Sequence, residues 1–483
     1  MKTTAKISLI ILTTLLSFTL LAQNEVDALR YSKLTQFGTA RNISMGGAFS
    51  TLGADFSALS TNPASIAVYK KSEFTFSPGL GYTSTESKYL GKTTDDFKYN
   101  FNFTNIGMVF AGNIGSKDTD KPEWKGIQFG IGVNRLQNFN NRTLVEGFNN
   151  LGTILDIYHA SAQGTHYDQL GVFDTQLAFN TYLLDTLGSS TNYIQAYPGG
   201  ATQRKMITTT GGIDEMVMTL GGNYNDKFYI GATIGIPFVS YNEISTYQEI
   251  DEDNSVADFN SLTITDEVST TGAGVNLKVG MIYRVTDWVR VSGAFHIPTF
   301  YSLTDEWQRK MDSDLEGMGS YSDKSPIGRF DYSLMTPMRL IGGVAFVIAN
   351  RGSVTAEYEH IDYSTSRLRE KNISGSFFDA NDNIRNNYTK AGNIRVGTEW
   401  VFSPFSIRGG YALYGNPFKS GLNDQTEQII SGGIGIRDKH YFIDFGYLYS
   451  TSKSDYFLYP QVVEAASVAP TKQMFVCTVG FKF

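Results

Sequence analysis

The chain has 483 residues, enough for one very large domain or about three ordinary ones, and it carries 48 glycines, 28 tyrosines, 33 phenylalanines and one cysteine. Its mean hydropathy of −0.19 excludes a bundle of transmembrane helices, because such a bundle needs repeated apolar stretches of about twenty residues. The formal net charge of −7 argues against nucleic-acid binding, which requires a basic face, and the single Cys477 permits no internal disulfide.

The one long apolar run lies at the N-terminus. It covers residues 7–22 and follows Lys2 and Lys6. A basic start, a short apolar core and a small residue at its end, Ala22, are typical of a secretory signal peptide. We therefore predict cleavage after residue 22. A membrane anchor is the alternative, and the run is short for one.

A compact unit without strand pattern follows the leader. The stretch 40–67 is rich in small residues, and its apolar residues are spaced as in short helical turns. Asn62-Pro63 ends this pattern, because the residue before a proline is pushed out of the α region. A plain chain break between a helix and the first strand is the alternative reading of this dipeptide.

The rest of the chain alternates with period two. In the last segment, Phe475, Val479 and Phe481 share one face, and Thr478 and Gly480 share the other. A soluble sandwich alternates in the same way. A membrane barrel is favoured by a glycine-rich polar face, by aromatic residues at strand ends and by short turns that alternate with long loops.

The alternating segments number about fourteen, an even count that suits a single-chain outer-membrane barrel. The longest predicted loop covers 141–212, between the third and fourth strands. We predict an all-β fold in which an antiparallel barrel over 71–483 encloses a small helical hatch over 23–70. The strands are predicted to begin near Ser72, Phe97, Gly126, Asp214, Lys227, Thr263, Trp288, Gly328, Ser353, Gly392, Phe405, Thr426, His440 and Thr471.

Three stretches resemble the FadL-type family of outer-membrane transporters for long-chain fatty acids and aromatic hydrocarbons. Two of them are barrel segments, 337–363 and 394–411. The third resembles that family's N-terminal hatch with its Asn-Pro-Ala motif. The residues that carry the hatch resemblance are Met45, Gly46, Gly47, Asn62, Pro63 and Ala64.

The resemblance implies a fourteen-stranded barrel whose lumen is filled by the hatch. It further implies passive passage of hydrophobic solutes, with a lateral exit at a kink in the third strand and no cofactor. In this chain the third strand contains Gly130, Gly132 and Asn134, and glycine in a strand often marks a bend. These residues are our candidates for a lateral opening. The alternative is that the glycines relieve crowding against the hatch.

Four arginines fall on the predicted inner face, where they avoid lipid. We expect them to pair with acidic neighbours on the wall or in the hatch. Such pairs build the lumen, or they latch the hatch to the wall. The arginines are Arg290, Arg395, Arg408 and Arg437, and the acids are Glu399, Asp444 and the hatch residue Asp55.

No catalytic constellation stands out, so we predict no enzyme, no metal site and no cofactor. The expected protein is a monomeric, integral outer-membrane channel that contacts outer-membrane lipid and passes a hydrophobic small molecule. Two alternatives stay open. One is an accessory barrel that binds protein partners in secretion or surface assembly, and the other is a haemin receptor that uses His159 and His166.

Overall fold

The structure is a computed structural model that describes residues 24–483 except 36, 115–122, 151, 350, 371–376, 461 and 463. The signal peptide predicted over 1–22 lies outside these residues. No helix in the described ranges is long and apolar enough to cross a membrane.

Fourteen antiparallel strands, some of them interrupted, form the wall in the described part of the chain. They are β1 (Glu73–Tyr89), β2 (Lys92–Asn113), β3 (Trp124–Asn138 and Asn141–Asn149), β4 (Ala201–Tyr224), β5 (Phe228–Ile250), β6 (Ser261–Arg284), β7 (Val289–His296 and Phe300–Leu315), β8 (Gly319–Lys324, Gly328–Met335 and Arg339–Ile348), β9 (Gly352–Asp362 and Arg367–Glu370), β10 (Lys390–Phe402), β11 (Phe405–Tyr414), β12 (Glu427–Arg437), β13 (Tyr441–Ser452 and Ser454–Tyr456) and β14 (Ala466–Lys482).

Each strand pairs with the next in sequence, and β14 pairs with β1 from Glu73↔Lys482 to Lys88↔Ser467. The sheet is therefore a closed barrel, and the predicted fold class is confirmed. The period-two pattern suits a closed barrel, because alternate residues of a strand point outward and inward. The outward residues are apolar, and the inward residues are small or polar. On the outer face stand large apolar side chains such as Phe101, which is 65% exposed.

The two ends of the barrel differ. One end carries short turns, and we call it the short-turn end. The long-loop end is larger than predicted, because Asn141–Asn149 and the first half of β4 continue the sheet into the range predicted as loop. These two strand extensions lack the apolar outer face of the other strands. A strand that extends beyond a hydrocarbon layer does not need such a face. The remaining loop contains α3 (Leu155–Ala162), α4 (Thr175–Asn180) and a small hairpin of Leu184–Thr186 with Tyr193–Gln195.

The described residues of the range 24–69, which we call the N-terminal segment, lie inside the barrel. They form α1 (Glu25–Arg30), α2 (Ala40–Ser44) and two 3-10 turns, Phe56–Ser60 and Pro63–Val68. Helix α1 packs against α5 (Phe378–Asn387) at the long-loop end, where the Tyr388 hydroxyl donates to the Glu25 carbonyl at 3.0 Å. The segment then descends to the short-turn end and continues into β1.

Wall glycines surround the N-terminal segment. A Cβ atom at any of these glycines would collide with the N-terminal segment, because backbone or side-chain atoms of the segment already occupy its position. The high glycine content of the lumen face is therefore a packing requirement. In the described ranges these glycines are Gly107, Gly130, Gly132, Gly221, Gly231, Gly280, Gly343, Gly397, Gly410, Gly433 and Gly446.

The Asn62-Pro63-Ala64 turn presses on two of these glycines. Asn62 caps its own turn by accepting from the Ala64 N–H at 3.1 Å, and its side-chain amide donates to the carbonyls of Ser50 and Met281 at 2.8 and 3.3 Å. A Cβ at Gly280 would overlap the Asn62 carbonyl oxygen. The turn therefore joins the N-terminal segment to β6 by direct contact.

We predict that Gly280→Ala lowers the free energy of unfolding of the barrel by about 1–3 kcal/mol, the usual effect of an overpacked contact. The readout is the temperature at which the folded form disappears in unheated-versus-heated gel electrophoresis. Gly342→Ala is the matched control, because a Cβ there meets nothing within 4 Å. Equal transition temperatures for both variants would contradict this packing.

Candidate functional site

The wall is interrupted between β2 and β3. Their ladder runs only from Asn113↔Gly126 to Asn105↔Asn134. Beyond it the second segment of β3 pairs with β4 alone, from Asn141↔Thr209 onward. Residues 92–104 of β2 consequently have no strand partner on that edge in the described part of the chain. We call this place the wall break.

The second segment of β3 turns inward and crosses the inner face of the β1–β2 hairpin. Side chains bridge the space that the missing ladder leaves: the Thr94 hydroxyl donates to the Leu144 carbonyl at 2.6 Å, and Arg142 pairs with Asp96 at 2.9 Å. Lys92 pairs with Glu146. The outer half of the break is thus closed by polar side chains.

Asparagines turn the strand at this point. The side-chain oxygen of Asn138 accepts from the backbone N–H of Asn140 at 3.0 Å, an arrangement that replaces the ladder with a local turn. The intervening Phe139 packs edge-on against Tyr31 and Tyr241, with ring centroids 6.1 and 5.3 Å apart. The bend is therefore anchored to the N-terminal segment.

The three residues proposed for a lateral opening lie in the paired half of β3. Gly130 and Gly132 face Ile66 and Phe56 of the N-terminal segment, which matches the alternative that these glycines relieve crowding. Asn134 ends the ladder with β2, and its amide donates to the Ser60 hydroxyl at 2.9 Å. The bend itself begins at Asn138, because asparagine side chains rather than glycines redirect the backbone.

An open cavity of about 370 Å³ lies at the long-loop end, beside α1. Its wall mixes charged residues, including Asp27, Arg30 and Arg309, with aromatic ones. Burial raises the pKa of Asp27 to about 6, although Arg30 opposes the shift. Tyr241 lines this cavity and also packs on Phe139, so the rings of Tyr31, Phe139 and Tyr241 separate the cavity from the wall break.

A chain of alternating charges joins the N-terminal segment to the wall near the short-turn end. Arg41 donates to both carboxylate oxygens of Glu399 from Nε and Nη2, the Nε–Oε1 distance being 2.9 Å. Arg408 bridges Glu399 at 2.7 Å and Asp444 at 2.8 Å, and Arg437 reaches Asp444 at 2.9 Å. Burial disfavours the charged form of Arg41, yet the facing Glu399 carboxylate outweighs it and keeps the pKa of Arg41 above its usual range.

The other predicted lumen residues lie elsewhere. Arg290 donates to the Leu52 carbonyl of the N-terminal segment at 3.0 Å. Arg395 is 1% exposed and pairs with Glu359 and, at 3.6 Å, with Glu357. Asp55 accepts from the Thr39 hydroxyl at 2.7 Å within its own segment, and burial raises its pKa. Asp55 therefore does not contact the wall arginines, and Arg41 makes the connection instead.

The two loop histidines are engaged separately. His159 Nε2 lies 2.8 Å from the Tyr193 carbonyl oxygen, and the His166 ring lies against Tyr167 with centroids 4.3 Å apart. The described residues contain no group of three or more His, Cys, Asp or Glu side chains placed to hold a metal ion.

Sequence reasoning missed Arg41, the asparagines of the bend and those of the adjoining edge of β2. A signal existed for the first two. Arg41 and Asp55 are the charged residues of an otherwise small and apolar stretch, and Asn138-Phe139-Asn140-Asn141 places turn-forming residues inside an alternating segment.

Comparison with known proteins gives matches at the level of structure. No protein-family model and no curated protein matches the sequence. A FadL homologue from Pseudomonas aeruginosa shares 11% identity with a TM-score of 0.52, over 93% of this chain and 99% of that one.

Two toluene transporters match over the same shares of both chains, 93% and 99%: TodX of Pseudomonas putida at 12% identity and TM-score 0.51, and TbuX of Ralstonia pickettii at 16% and 0.50. Identities this low establish likeness of fold. The chain has the FadL-type barrel fold that its sequence motifs predicted.

Proposed function

We propose that this protein is an outer-membrane channel for the passive uptake of hydrophobic small molecules. Solute enters the cavity at the long-loop end, passes the rings of Tyr31, Phe139 and Tyr241, and leaves sideways through the wall break. The N-terminal segment acts as a hatch that keeps the short-turn end closed. Long-chain fatty acids and monoaromatic hydrocarbons are the candidate solutes.

The wall break is the observation that carries this proposal. In a hydrocarbon layer an unpaired strand edge costs several kcal/mol for each unsatisfied group, so barrels close their ladders completely. An edge left open over residues 97–104, where Phe97, Tyr99, Phe101 and Phe103 stand exposed on the outer face, is therefore retained at a cost in stability. Such a cost is expected at functional positions.

The filled lumen supports a sideways route. Near the short-turn end, Arg41, Glu399, Arg408 and Asp444 link the hatch to the wall by ion pairs. An apolar solute would have to break these pairs to move along the axis. Leaving through the wall keeps the solute out of water and delivers it into lipid.

The solved structures with this fold support the solute class, since two of them are toluene transporters. The outer face supports the location, because it presents apolar side chains all round the barrel, including Leu220, Ile234, Phe295, Ile407 and Phe445.

An accessory barrel that binds protein partners is the second candidate. The lumen of the short-turn half is filled, and apolar side chains stand exposed at the long-loop end, such as Ile327, Phe378 and Phe457. Exposed apolar surface of this kind is typical of binding sites. This reading needs no solute path and gives the wall break no role.

We predict that locking the wall break stops uptake. In a Cys477→Ser background, Asp96→Cys with Arg142→Cys is joined by a short, reducible, bifunctional thiol reagent. Uptake of labelled toluene is then measured in bacteria that carry the protein in an intact outer membrane and lack other channels for hydrophobic compounds. It should fall to the level of cells without the protein and return on reduction.

The matched control is Ile207→Cys with Ser245→Cys, two residues directly opposite each other in the continuous β4–β5 ladder. Joining them should leave uptake unchanged. If the lock across the wall break leaves uptake unchanged as well, the sideways route is wrong.

We also predict that Arg41→Gln loosens the hatch. Removing one partner of a buried ion pair costs roughly 3–5 kcal/mol, because the remaining charge stays buried. Single-channel conductance for small ions in planar bilayers should therefore rise. Arg284→Gln is the control, since Arg284 pairs at 2.9 Å with the exposed Asp287 in a short turn. Equal conductance for native protein and Arg41→Gln would show that this pair is no latch.

A further inference from the structure

The free edge of β2 carries amides on its inner face. Asn100 and Asn102 point into the lumen, and they alternate with Tyr99, Phe101 and Phe103, which stand exposed on the outer face. Both faces of this stretch border the wall break. A molecule in the break therefore meets amides on one side and aromatic rings on the other.

The side-chain amide nitrogens of Asn100 and Asn102 lack hydrogen-bond partners among the described residues. Asn102 is 6% exposed, and among the described residues neither its oxygen nor its nitrogen has a hydrogen-bond partner; the same holds for the Asn100 nitrogen. A buried polar group without a partner costs about 1–3 kcal/mol. Gly79 and Gly81, which lie opposite in β1, leave room for both side chains.

A small cavity adjoins this edge. It measures about 20 Å³, and Asn100, Asn138 and Asn140 line it together with Thr35 of the N-terminal segment. Thr35 is 3% exposed, and its hydroxyl also lacks a partner in the described ranges. A cavity of this size holds one small polar group. Unpaired donors from both the wall and the hatch therefore converge on one point.

The charged groups nearby are already engaged with one another. Lys33 and Lys472 each lie 3.9 Å from the Glu427 carboxylate, which also accepts from the Ser450 hydroxyl at 2.6 Å. Glu427 and Lys472 both line the cavity, so their charges offset one another there. Among the described residues that line it, the buried groups without a hydrogen-bond partner are the Asn100 amide and the Thr35 hydroxyl, both uncharged.

We propose that the wall break is a binding site for the neutral, oxygen-bearing head group of an amphiphile, such as a long-chain alcohol. The head group bonds to Asn100 and Thr35, which line the small cavity, and the apolar body lies along Phe101 and Phe103 toward lipid. This inference rests on the proposed function and narrows its solute class. A site built around hydrogen bonds discriminates strongly against an analogue that lacks them.

The test uses a dodecanol analogue with a photoreactive group on the carbon atoms next to its hydroxyl, applied to the purified full-length barrel. Labelled peptides should come from residues 97–104 and 136–141, and excess 1-dodecanol, but not dodecane or dodecanoate, should prevent labelling. Asn100→Leu should reduce labelling about tenfold, the effect expected from losing one to two neutral hydrogen bonds. Asn242→Leu, on the exposed outer face of β5, is the matched control and should not change it.

Gly81→Ala is a second variant, and it keeps every amide side chain of the site. Its added methyl group would displace the Asn100 side chain. It should also reduce labelling, and gel mobility without heating shows whether each variant is folded. Labelling elsewhere in a protein that still takes up toluene would overturn this inference and leave the channel standing. Stronger competition by dodecanoate than by dodecanol would overturn the neutral assignment. If the native protein neither labels nor takes up toluene, both proposals fail.

Discussion

The structure depends on one constraint: a strand within hydrocarbon must have both edges paired. The chain meets it by joining fourteen strands into a ring, with β14 returning to β1 along almost its whole length. The edge of β2 over residues 92–104 is the departure from this rule, and side chains of Thr94, Asp96 and Lys98 bridge it in place of a ladder. Both proposals start from this departure.

The residue types on the inner face of the barrel are explained by the N-terminal segment, which packs against the curved wall. Wall glycines let the N-terminal segment approach the strands closely, and the Arg41–Glu399 ion pair joins that segment to the wall. A buried charge is stable only with its partner, so this pair favours one position of the segment. The same filling blocks an axial path, which is why the proposed function uses the wall break as the passage out of the lumen.

The sequence predicted the wall well because alternation with period two is a local signal that closure preserves. Twelve of the fourteen strands begin within five residues of their predicted positions, whereas β4 and β8 begin 13 and 9 residues earlier than predicted. The strand extensions at Asn141–Asn149 and Ala201–Gly212 were missed, since paired strands outside hydrocarbon lose the apolar face that reveals them. The predicted candidates for a lateral opening, Gly130, Gly132 and Asn134, lie a few residues before the bend at Asn138. Glycine suggested flexibility there, whereas the bend is made by hydrogen bonds of Asn138 and could not be read from strand periodicity. The pairing of Arg41 with Glu399 joins residues 358 positions apart, and no local pattern encodes it.

If the protein carries hydrophobic solutes, some should remain bound to it after purification in detergent. Extraction of the purified protein, followed by mass spectrometry, tests this directly. The account predicts recovery of an apolar or amphiphilic small molecule, with less recovered from a variant in which Phe139→Ala opens the aromatic cluster next to the break. Recovery of no such molecule, together with a protein that co-purifies, would contradict it and favour the accessory barrel.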